Sequence, residues 1–213
     1  MESFSDDLPS QVARVTLRPV READLTTLEE NESRDADPWN WFRYRPAETL
    51  RRRFAADGLL SDDAGTLAVE TPDGALAGSV SWFTVVHGPS AACRALNIGI
   101  SLLPGQRGHG YGSAAQRALA EYLFATTLTE RIEAETDVEN IAEQRALERA
   151  GFTREGVLRH TQFRAGRWRD NVIYSVLRAE VSLDRFLAHC GAGGVAGART
   201  AAERRSRAAR RRS

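Results

Sequence analysis

The chain has 213 residues, which is enough for one domain with a substantial core, whereas two domains would each be small. Hydrophobic residues make up 42% and charged residues 27% of it, and its formal net charge is zero, so the composition gives no electrostatic argument for nucleic acid or membrane as a partner of the whole molecule. The N-terminal residues carry neither a basic start nor an apolar run, and no apolar stretch is long enough to cross a bilayer. These features favour a cytoplasmic protein with no membrane partner.

The first half of the chain contains short segments whose type follows from the spacing of their apolar residues. Residues 1–12 are expected to form a flexible terminus. The predicted strands lie at 16–20, 65–69, 78–86 and 96–102, and the predicted helices at 23–32 and 47–57. Leu25 and Leu28 face inward in the first helix, and Asp73-Gly74 is typical of a hairpin turn. Three consecutive strands after two helices favour an antiparallel meander.

An aromatic segment separates the two predicted helices. It contains Trp39, Trp41, Phe42 and Tyr44, and it lies between two prolines. The spacing of the rings matches neither a helix nor a strand, so one interpretation is a loop whose rings close the end of a core. The other is a binding surface, because rings flanked by arginines suit a ligand with an apolar body and some negative charge. Trp82 lies in a predicted strand, where a core position is the more common explanation.

The most informative stretch runs from Asn97 to Gly112. It begins as a strand, turns at Pro104-Gly105 into a loop containing Gly108, Gly110 and Gly112, and continues directly into an amphipathic helix. The first N–H groups of a helix have no internal partner and carry the positive end of its dipole. Glycines leave no side chain between those donors and a ligand, and they allow the positive φ angles that such a loop needs. The pattern therefore predicts a site for a phosphate or pyrophosphate group.

A predicted fifth strand, 132–138, follows that helix. Glu133, Glu135 and Asp137 alternate with less polar residues, so the three carboxylates lie on one face. Such a face usually meets water, yet a strand between two helices should be covered, and we therefore expect some of these acids to line a wet cleft. A helix at 140–150 then ends at Gly151, and the last two strands are predicted at 152–158 and 171–177.

The C-terminal residues 191–213 differ from the rest in composition. They contain seven arginines and one glutamate after a glycine-rich start, which is typical of a disordered basic tail. Such a tail can bind RNA, ribosomes or acidic surfaces by counterion release, although a nonspecific tail is the simpler interpretation.

Familiar nucleotide loops do not fit the glycine-rich stretch. The Walker pattern requires a lysine, and the chain contains none; the dinucleotide fingerprint belongs to a first strand-helix unit, whereas this loop lies in mid-chain. The pattern Arg107-Gly-His-Gly110-Tyr-Gly112 resembles the acetyl-CoA loop of the GNAT superfamily of N-acetyltransferases. Segments beginning at Val15, Asn140 and Glu155 are similar, in the same order, to the RimJ/RimL-type branch of that superfamily.

The resemblance implies an α+β fold of the GNAT type. Its central sheet would be mixed but mostly antiparallel, with six to seven strands, splayed between the fourth and fifth strands and covered by helices on both faces. It would occupy one domain at 13–190, followed by the tail. Acetyl-CoA would be the donor and no metal would be needed. The residues that match donor-binding positions are Leu102, Leu103, Gln106, Arg107, Gly108, His109, Gly110, Tyr111, Gly112 and Asn140.

The resemblance leaves the catalytic groups less certain than the donor site. Glu135 is the first candidate for the general base, with Ser101 opposite it on the fourth strand, and His160 is a further candidate. Many members of the superfamily carry a tyrosine four residues before the glycine that ends the second long helix, and this chain has Leu147 there. A protonated Glu143 could supply the proton for the departing thiolate, or it could be a surface acid paired with a nearby arginine.

The acceptor amine is open at this stage. A protein or peptide α-amine is the leading interpretation, with the basic tail directing the enzyme towards ribosomes. A small-molecule amine such as an antibiotic or metabolite is the second, and an acyl-CoA-binding regulator without catalysis is the third. Candidate acceptor contacts are Trp39, Trp41, Phe42, Tyr44, Trp82 and His160. The chain is expected to be a monomer or a homodimer.

Overall fold

A computed structural model describes residues 13–32, 39, 49–61 and 63–181 of the chain. Seven strands are present in this part: β1 Thr16–Pro19, β2 Ala64–Glu70, β3 Leu76–Val86, β4 Arg94–Leu102, β5 Arg131–Asp137, β6 Thr153–Arg164 and β7 Arg167–Leu177. The helices are α1 Leu25–Asn31, α2 Thr49–Asp57, α3 Tyr111–Thr126 and α4 Ile141–Ala150. The predicted terminus, most of the aromatic segment and the basic tail lie outside the described residues, so the division into domain and tail stays a prediction.

The strands form one sheet in the order β1-β2-β3-β4-β5-β7-β6. Neighbouring strands are antiparallel except β4 and β5, which are parallel and are joined through α3. The meander predicted from three consecutive strands is β2-β3-β4. The fold class predicted from the sequence is confirmed: the sheet is mixed and seven-stranded, and its two faces are covered by different pairs of helices.

Alternation along the strands separates two apolar clusters. On one face, Ile98 of β4 and Ile132 of β5 pack with Leu119 and Leu123 of α3 and Leu147 of α4. Burial of a leucine or isoleucine side chain of this kind contributes roughly 1.5–3 kcal/mol. This cluster fixes α3 and α4 against the centre of the sheet.

The opposite face carries a smaller apolar cluster under the first two helices. Leu25 and Leu28 of α1 and Leu50 of α2 pack over Ala68 of β2, and the inward orientation predicted for Leu25 and Leu28 is confirmed. Beyond this cluster, towards β5 and β7, the same face carries polar side chains such as Asn97 and Glu133. Helices α3 and α4 thus pack on one face of the sheet, and the polar half of the other face offers polar side chains to a functional site.

The last hairpin is longer than the sequence predicted. The two strands continue to a tight turn at Ala165-Gly166, where both residues have positive φ angles of 51° and 81°, as two-residue hairpin turns require. A bulge between Leu158 and Gln162 interrupts the pairing, and the Asp170 carboxylate accepts the His160 N–H there at 2.8 Å. The prediction missed these residues because the bulge breaks the alternation that identifies a strand. Gln162 and Arg164, which follow the bulge, line a cleft next to β5.

An ion pair ties β6 to the inner strands at the other end of the hairpin. Arg131 of β5 donates two hydrogen bonds to the carboxylate of Glu155, at 2.7 and 2.5 Å, and the Ser175 hydroxyl of β7 donates a third at 2.7 Å. The guanidinium and the hydroxyl lower the pKa of Glu155 to about 2. A carboxylate with a lowered pKa stabilises the folded state above its unfolded-state pKa and loses that contribution as the pH falls through the folded value.

None of the helices in the described ranges has the length and apolar character needed to span a bilayer.

Replacing Glu155 with glutamine should reduce the free energy of unfolding near neutral pH, because the variant loses the ion pair with Arg131. The difference from the wild type should shrink as the pH falls from 4.5 towards about 2, because the wild-type carboxylate is protonated over that interval. Urea unfolding at about pH 6 and about pH 3 measures it. The Glu130→Gln variant is the control, since Glu130 is largely exposed and lies 3.9 Å from Arg178. A Glu155→Gln difference that is independent of pH would contradict the assignment.

Candidate active site

The centre of the site is the opening between β4 and β5. These parallel strands pair only at Leu96, Asn97 and Ile98, opposite Ile132, Glu133 and Ala134. Beyond Ile98, β4 remains paired with β3 as far as Leu102, and β5 remains paired with β7 as far as Asp137. Both strands are therefore held from outside while they diverge from each other. The cleft between them has a volume of about 460 Å³.

The strand register decides which backbone donor faces this opening. The Leu103 N–H donates to the Ala77 carbonyl at 2.9 Å, so it points towards β3. Because backbone groups alternate between the two sides of a strand, the N–H and C=O of Leu102 point the other way, towards the opening. The Leu102 carbonyl accepts the Arg107 Nε–H there at 3.0 Å. Of the two positions predicted to offer an N–H to a carbonyl, only Leu102 has the required direction, and the prediction for Leu103 is corrected.

The glycine-rich loop forms the next part of the cleft. Gly108 and Gly110 have φ angles of 81° and 80°, and Gly110 is the residue that precedes the first turn of α3. The first N–H inside the helix to find a helical partner is that of Ala114, which donates to the Gly110 carbonyl at 3.2 Å. The N–H groups of residues 111–113 therefore project from the helix start, where the helix dipole is positive.

Arginine side chains surround this helix end. Arg107, Arg145 and Arg149 all line the cleft, and the Arg149 Nε–H donates to the Ser113 hydroxyl at 3.3 Å. Three guanidinium groups next to a row of backbone donors suit a pyrophosphate group. The predicted donor residues Gly108, Gly110 and Gly112 line the cleft as well.

Other predicted donor residues lie around the loop rather than on the cleft wall. The Gln106 N–H closes the turn before the loop by donating to the Leu103 carbonyl at 2.9 Å. His109 is exposed, and its ring stacks on Tyr111 with 5.8 Å between centroids. Tyr111 packs against the main apolar cluster.

Helix α4 contributes the opposite wall. Asn140 caps the helix, because its side-chain oxygen accepts the Glu143 N–H at 3.3 Å, while its amide group donates to the Thr136 hydroxyl at 3.1 Å. Asn140 and Glu143 both line the cleft. Glu143 lies in the first turn of α4, where the positive end of the helix dipole stabilises a negative charge.

The three acids of β5 have very different surroundings. Glu133 is buried, and its carboxylate contacts Arg131 of the same strand and His87 Nε2 at 2.7 Å. It is not one of the cleft-lining residues. Glu133 is therefore part of a buried charge cluster and is not available to a bound ligand.

Asp137 lines the cleft but is fully paired. Its carboxylate bonds Arg164 and also accepts two hydrogen bonds from Arg169, at 2.7 and 3.0 Å. Burial alone would raise the pKa of Asp137, but the hydrogen bonds from Arg169 and the charges of both arginines outweigh it and hold the pKa below its usual value. A carboxylate bound by two arginines is a structural anion and a poor proton acceptor.

Glu135 is the remaining acid, and it also lines the cleft. Within the described residues, the hydrogen bond made to its carboxylate comes from the neutral Asn171 amide, at 3.3 Å. Glu135 thus lies next to the opening without an arginine on its carboxylate, which is what a general base requires.

Polar groups with spare acceptor capacity lie on the same side. The Asn31 amide donates to the Ser101 hydroxyl at 3.0 Å, which joins the end of α1 to β4. The side-chain oxygens of Asn31 and Asn171 are buried and have no hydrogen-bond partner among the residues that the structure describes. Buried acceptors of this kind are costly unless a ligand or water supplies a donor.

The predicted acceptor contacts divide into three groups. Trp39 lines the cleft, whereas Trp41, Phe42 and Tyr44 lie outside the described residues. Trp82 packs in the main core with its ring edge towards Tyr122, at 6.0 Å between centroids, so its position corrects its assignment to the acceptor site.

His160 lies in the bulge of the last hairpin, with its side chain exposed and Nε2 4.0 Å from Asp170. It is not a cleft-lining residue. Its position therefore corrects its assignment as a base or an acceptor contact.

Several cleft residues were not singled out from the sequence. They are Thr136, Arg145, Arg149, Gln162 and Arg164. Asn31, Arg169 and Asn171, which bond Ser101, Asp137 and Glu135, were not singled out either. A usable signal existed for the last hairpin, because Ala165-Gly166 suits a two-residue turn and would have placed Gln162 and Arg164 in a strand. No comparable signal exists for Asn31, which lies 70 residues from its partner Ser101.

Comparisons with known proteins agree with this geometry. Residues 14–153 match the family model described as an acetyltransferase (GNAT) domain. The chain is 30% identical over 173 residues to the probable N-acetyltransferase YjcK of Bacillus subtilis, an alignment that covers 76% of this chain and 94% of the relative.

Solved structures share the fold. Spermidine N-acetyltransferase of Vibrio cholerae, in complex with CoA and spermine, superposes with a TM-score of 0.67 at 22% identity and covers 78% of this chain and 97% of its own. RimJ of Mycobacterium smegmatis, in complex with CoA-disulfide, gives 0.63 at 24% identity and covers 83% and 89%. Structures of both kinds of enzyme are thus similar to this chain, and at these identities they speak for the fold alone. The family match and the relative show more: this chain belongs to the GNAT acetyltransferase family and is an acetyl-CoA-dependent N-acetyltransferase.

Proposed function

We propose that the chain transfers the acetyl group of acetyl-CoA directly to the α-amine at the N-terminus of a protein or peptide, as an enzyme of the RimJ/RimL type. The observation that carries this proposal is the charge of the acceptor side of the cleft. Asp137 and Glu139 are each paired with arginine, and Glu135 remains as the acid on that side with a neutral partner. Among the described residues, one carboxylate without an ion pair, close to the buried amide of Asn171, suits a single amine.

The donor would bind along the loop and the opening. Its pyrophosphate would meet the N–H groups of residues 111–113 and the guanidinium groups of Arg107, Arg145 and Arg149. Its pantetheine arm would extend between β4 and β5 past Asn140, towards Leu102. This orientation would bring the thioester carbonyl to the Leu102 N–H and the acceptor amine to Glu135 on the other side.

The reaction then needs three proton or charge movements. Glu135 accepts a proton from the amine as its nitrogen attacks the thioester carbon, and the Leu102 N–H stabilises the oxyanion that forms. The carbon–sulfur bond breaks and the thiolate takes a proton. We assign that proton to water in the open cleft; Glu143 lies in the first turn of α4, next to the positive end of the helix dipole.

An α-amine is the easier acceptor for such a site. Its reference pKa is about 8, whereas that of a lysine side chain is about 10.4. At neutral pH a single carboxylate therefore removes a proton from an α-amine more easily than from a lysine side chain. A small-molecule amine is the second candidate, and the similarity to a spermidine N-acetyltransferase favours it. A polyamine carries several positive charges, however, and among the described residues of the acceptor side Glu135 is the one acid without an arginine partner, so it would balance one of those charges. Family membership favours catalysis over a purely regulatory role.

Some expectations remain predictions. The basic tail at 191–213 as a contact for ribosomes or RNA lies outside the described residues, as do Trp41, Phe42 and Tyr44. The absence of a metal requirement and the oligomeric state are likewise expectations.

Substituting Gly110 with alanine should raise KM for acetyl-CoA. The left-handed φ of 80° costs an alanine about 1–2 kcal/mol, and the new Cβ would lie 3.1 Å from the Ala13 Cβ, so the helix start would have to move. Steady-state kinetics with varied acetyl-CoA measures the effect. The control is Gly105→Ala in the same loop, where an added Cβ meets nothing within 4 Å. Equal KM values in the two variants would contradict the role assigned to the helix start.

Replacing Glu135 with glutamine should lower kcat by roughly 10²–10⁴-fold, the usual range for loss of a general base. KM for acetyl-CoA should change little, because Glu135 lies on the acceptor side. The control is Glu139→Gln, which removes an acid four residues further along the chain that is paired with Arg169 and largely exposed. If both variants lose activity equally, or if Glu135→Gln retains wild-type kcat, Glu135 is not the base.

An acceptor panel tests the choice of substrate. Peptides that begin with serine, threonine or alanine should release CoA thiol with a higher kcat/KM than spermidine or aminoglycoside antibiotics, measured with a thiol reagent. Preference for spermidine would instead support the small-molecule interpretation and contradict the peptide one.

A further inference from the structure

Arg164 joins three parts of the molecule at the acceptor side of the cleft. It lies at the end of β6, and its side chain is 6% exposed. One end of its guanidinium bonds the Asp137 carboxylate on β5, and the other donates to the backbone carbonyl of Trp39. Its Cζ atom also lies 5.4 Å from the centroid of the Trp39 ring. Arg164 therefore contacts Trp39 both through the backbone and through the ring.

This arrangement suits arginine and no other side chain. The guanidinium is planar and has donors on both edges, so it can bond a carboxylate and a carbonyl at once while its face covers an aromatic ring. Lysine could keep the charge but not the fork. A burial this deep is expensive for a cation, and the pairing with Asp137 offsets that cost.

Arg169 holds the pair in place without touching Trp39 in the described structure. It donates to both oxygens of Asp137 and to Glu139 at 2.6 Å. Asp137 is thus fixed from one side by Arg169 and can fix Arg164 from the other. The two arginines share a partner and burial, and they differ in their contact with Trp39, which makes Arg169 a natural control.

We propose that Arg164 is a positioning residue that holds Trp39 as the wall of the acceptor pocket, and that it thereby sets which acceptors fit. Trp39, Glu135 and Arg164 all line the same cleft. The proposal rests on the proposed function only in taking the Glu135 side of the cleft as the acceptor side.

The wall formed by Trp39 combines an apolar ring with the neighbouring charge of Arg164. The indole presents apolar surface to whatever follows the amine, while the neighbouring guanidinium adds positive charge. A peptide whose first side chain is small and uncharged fits this surface better than one that begins with arginine or lysine. Loss of the Arg164 contact should release the indole and weaken this selectivity.

The contact itself can be tested without any acceptor. Fluorine NMR of the full chain labelled with 5-fluorotryptophan should show signals from Trp39, Trp41, Trp82 and Trp168, with the Trp39 signal identified by Trp39→Phe. Arg164→Lys should shift or broaden the Trp39 signal and leave that of the core residue Trp82 unchanged. Arg169→Lys should change the Trp39 signal less. An unchanged Trp39 signal in Arg164→Lys, or equal effects of the two arginine variants, would overturn the proposal.

Kinetics then tests the consequence for the acceptor. Loss of a hydrogen bond from a charged group corresponds to about a tenfold change, so KM for a serine-initiated peptide should rise by about that factor in Arg164→Lys, with KM for acetyl-CoA unchanged. The same substitution in a Trp39→Ala background should add little, because the wall is already gone. An undiminished effect in that background would show that Arg164 acts without Trp39.

A second variant and the NMR readout keep these outcomes distinct. Arg164→Met removes the charge but leaves Asp137 paired with Arg169, so it provides a second variant if the lysine variant does not fold. If no peptide is acetylated at all, the proposed acceptor class fails, and the NMR result still decides whether Arg164 holds Trp39.

Discussion

The molecule depends on the point at which β4 and β5 cease to pair. Two strands that separate within a sheet expose backbone donors and acceptors, which is costly unless something else bonds them. This chain limits the cost by holding each strand from its outer side, β4 by β3 and β5 by β7. Beyond Ile98 the inner edges are then ordered without being paired to each other, as a site for an extended donor requires. The Leu102 N–H is directed at the opening by the register alone, before any catalytic side chain is considered.

The second constraint is electrostatic. Glu133, Glu135 and Asp137 have the same spacing and the same face of one strand, yet only one of them is suited to accept a proton. The difference comes from their partners: His87 and Arg131, the latter on the same strand, for Glu133, two arginines of the last hairpin for Asp137, and the neutral Asn171 for Glu135. Position in the strand provides the acids, and the tertiary structure assigns their roles.

The local structure of the glycine-rich stretch could be predicted from the sequence for a physical reason. The strand end, the turn, the glycines and the start of α3 are contiguous, so local rules about φ angles, helix dipoles and periodicity describe them almost completely. The mixed sheet of six to seven strands, by contrast, was implied by the resemblance to the GNAT superfamily. The sequence predicted the individual strands by their periodicity. It failed at Leu103, whose direction depends on the register with β3, and at the last hairpin, whose bulge hides the alternation of Gln162 and Arg164. Trp82 was named among the acceptor contacts although a core position is the more common explanation for a ring in a strand, and it lies in the core.

The acceptor end is assembled from segments that are distant in sequence. Arg164 and Trp39 are 125 residues apart, and Asn31 and Ser101 are 70 apart. No short motif can describe such contacts, because each requires the sheet order β4-β5-β7-β6 to bring its members together. A substitution in one of these segments can alter the acceptor pocket without touching the loop that holds the donor. The two ends can therefore change independently, so that one donor site is compatible with different acceptor pockets on the same fold.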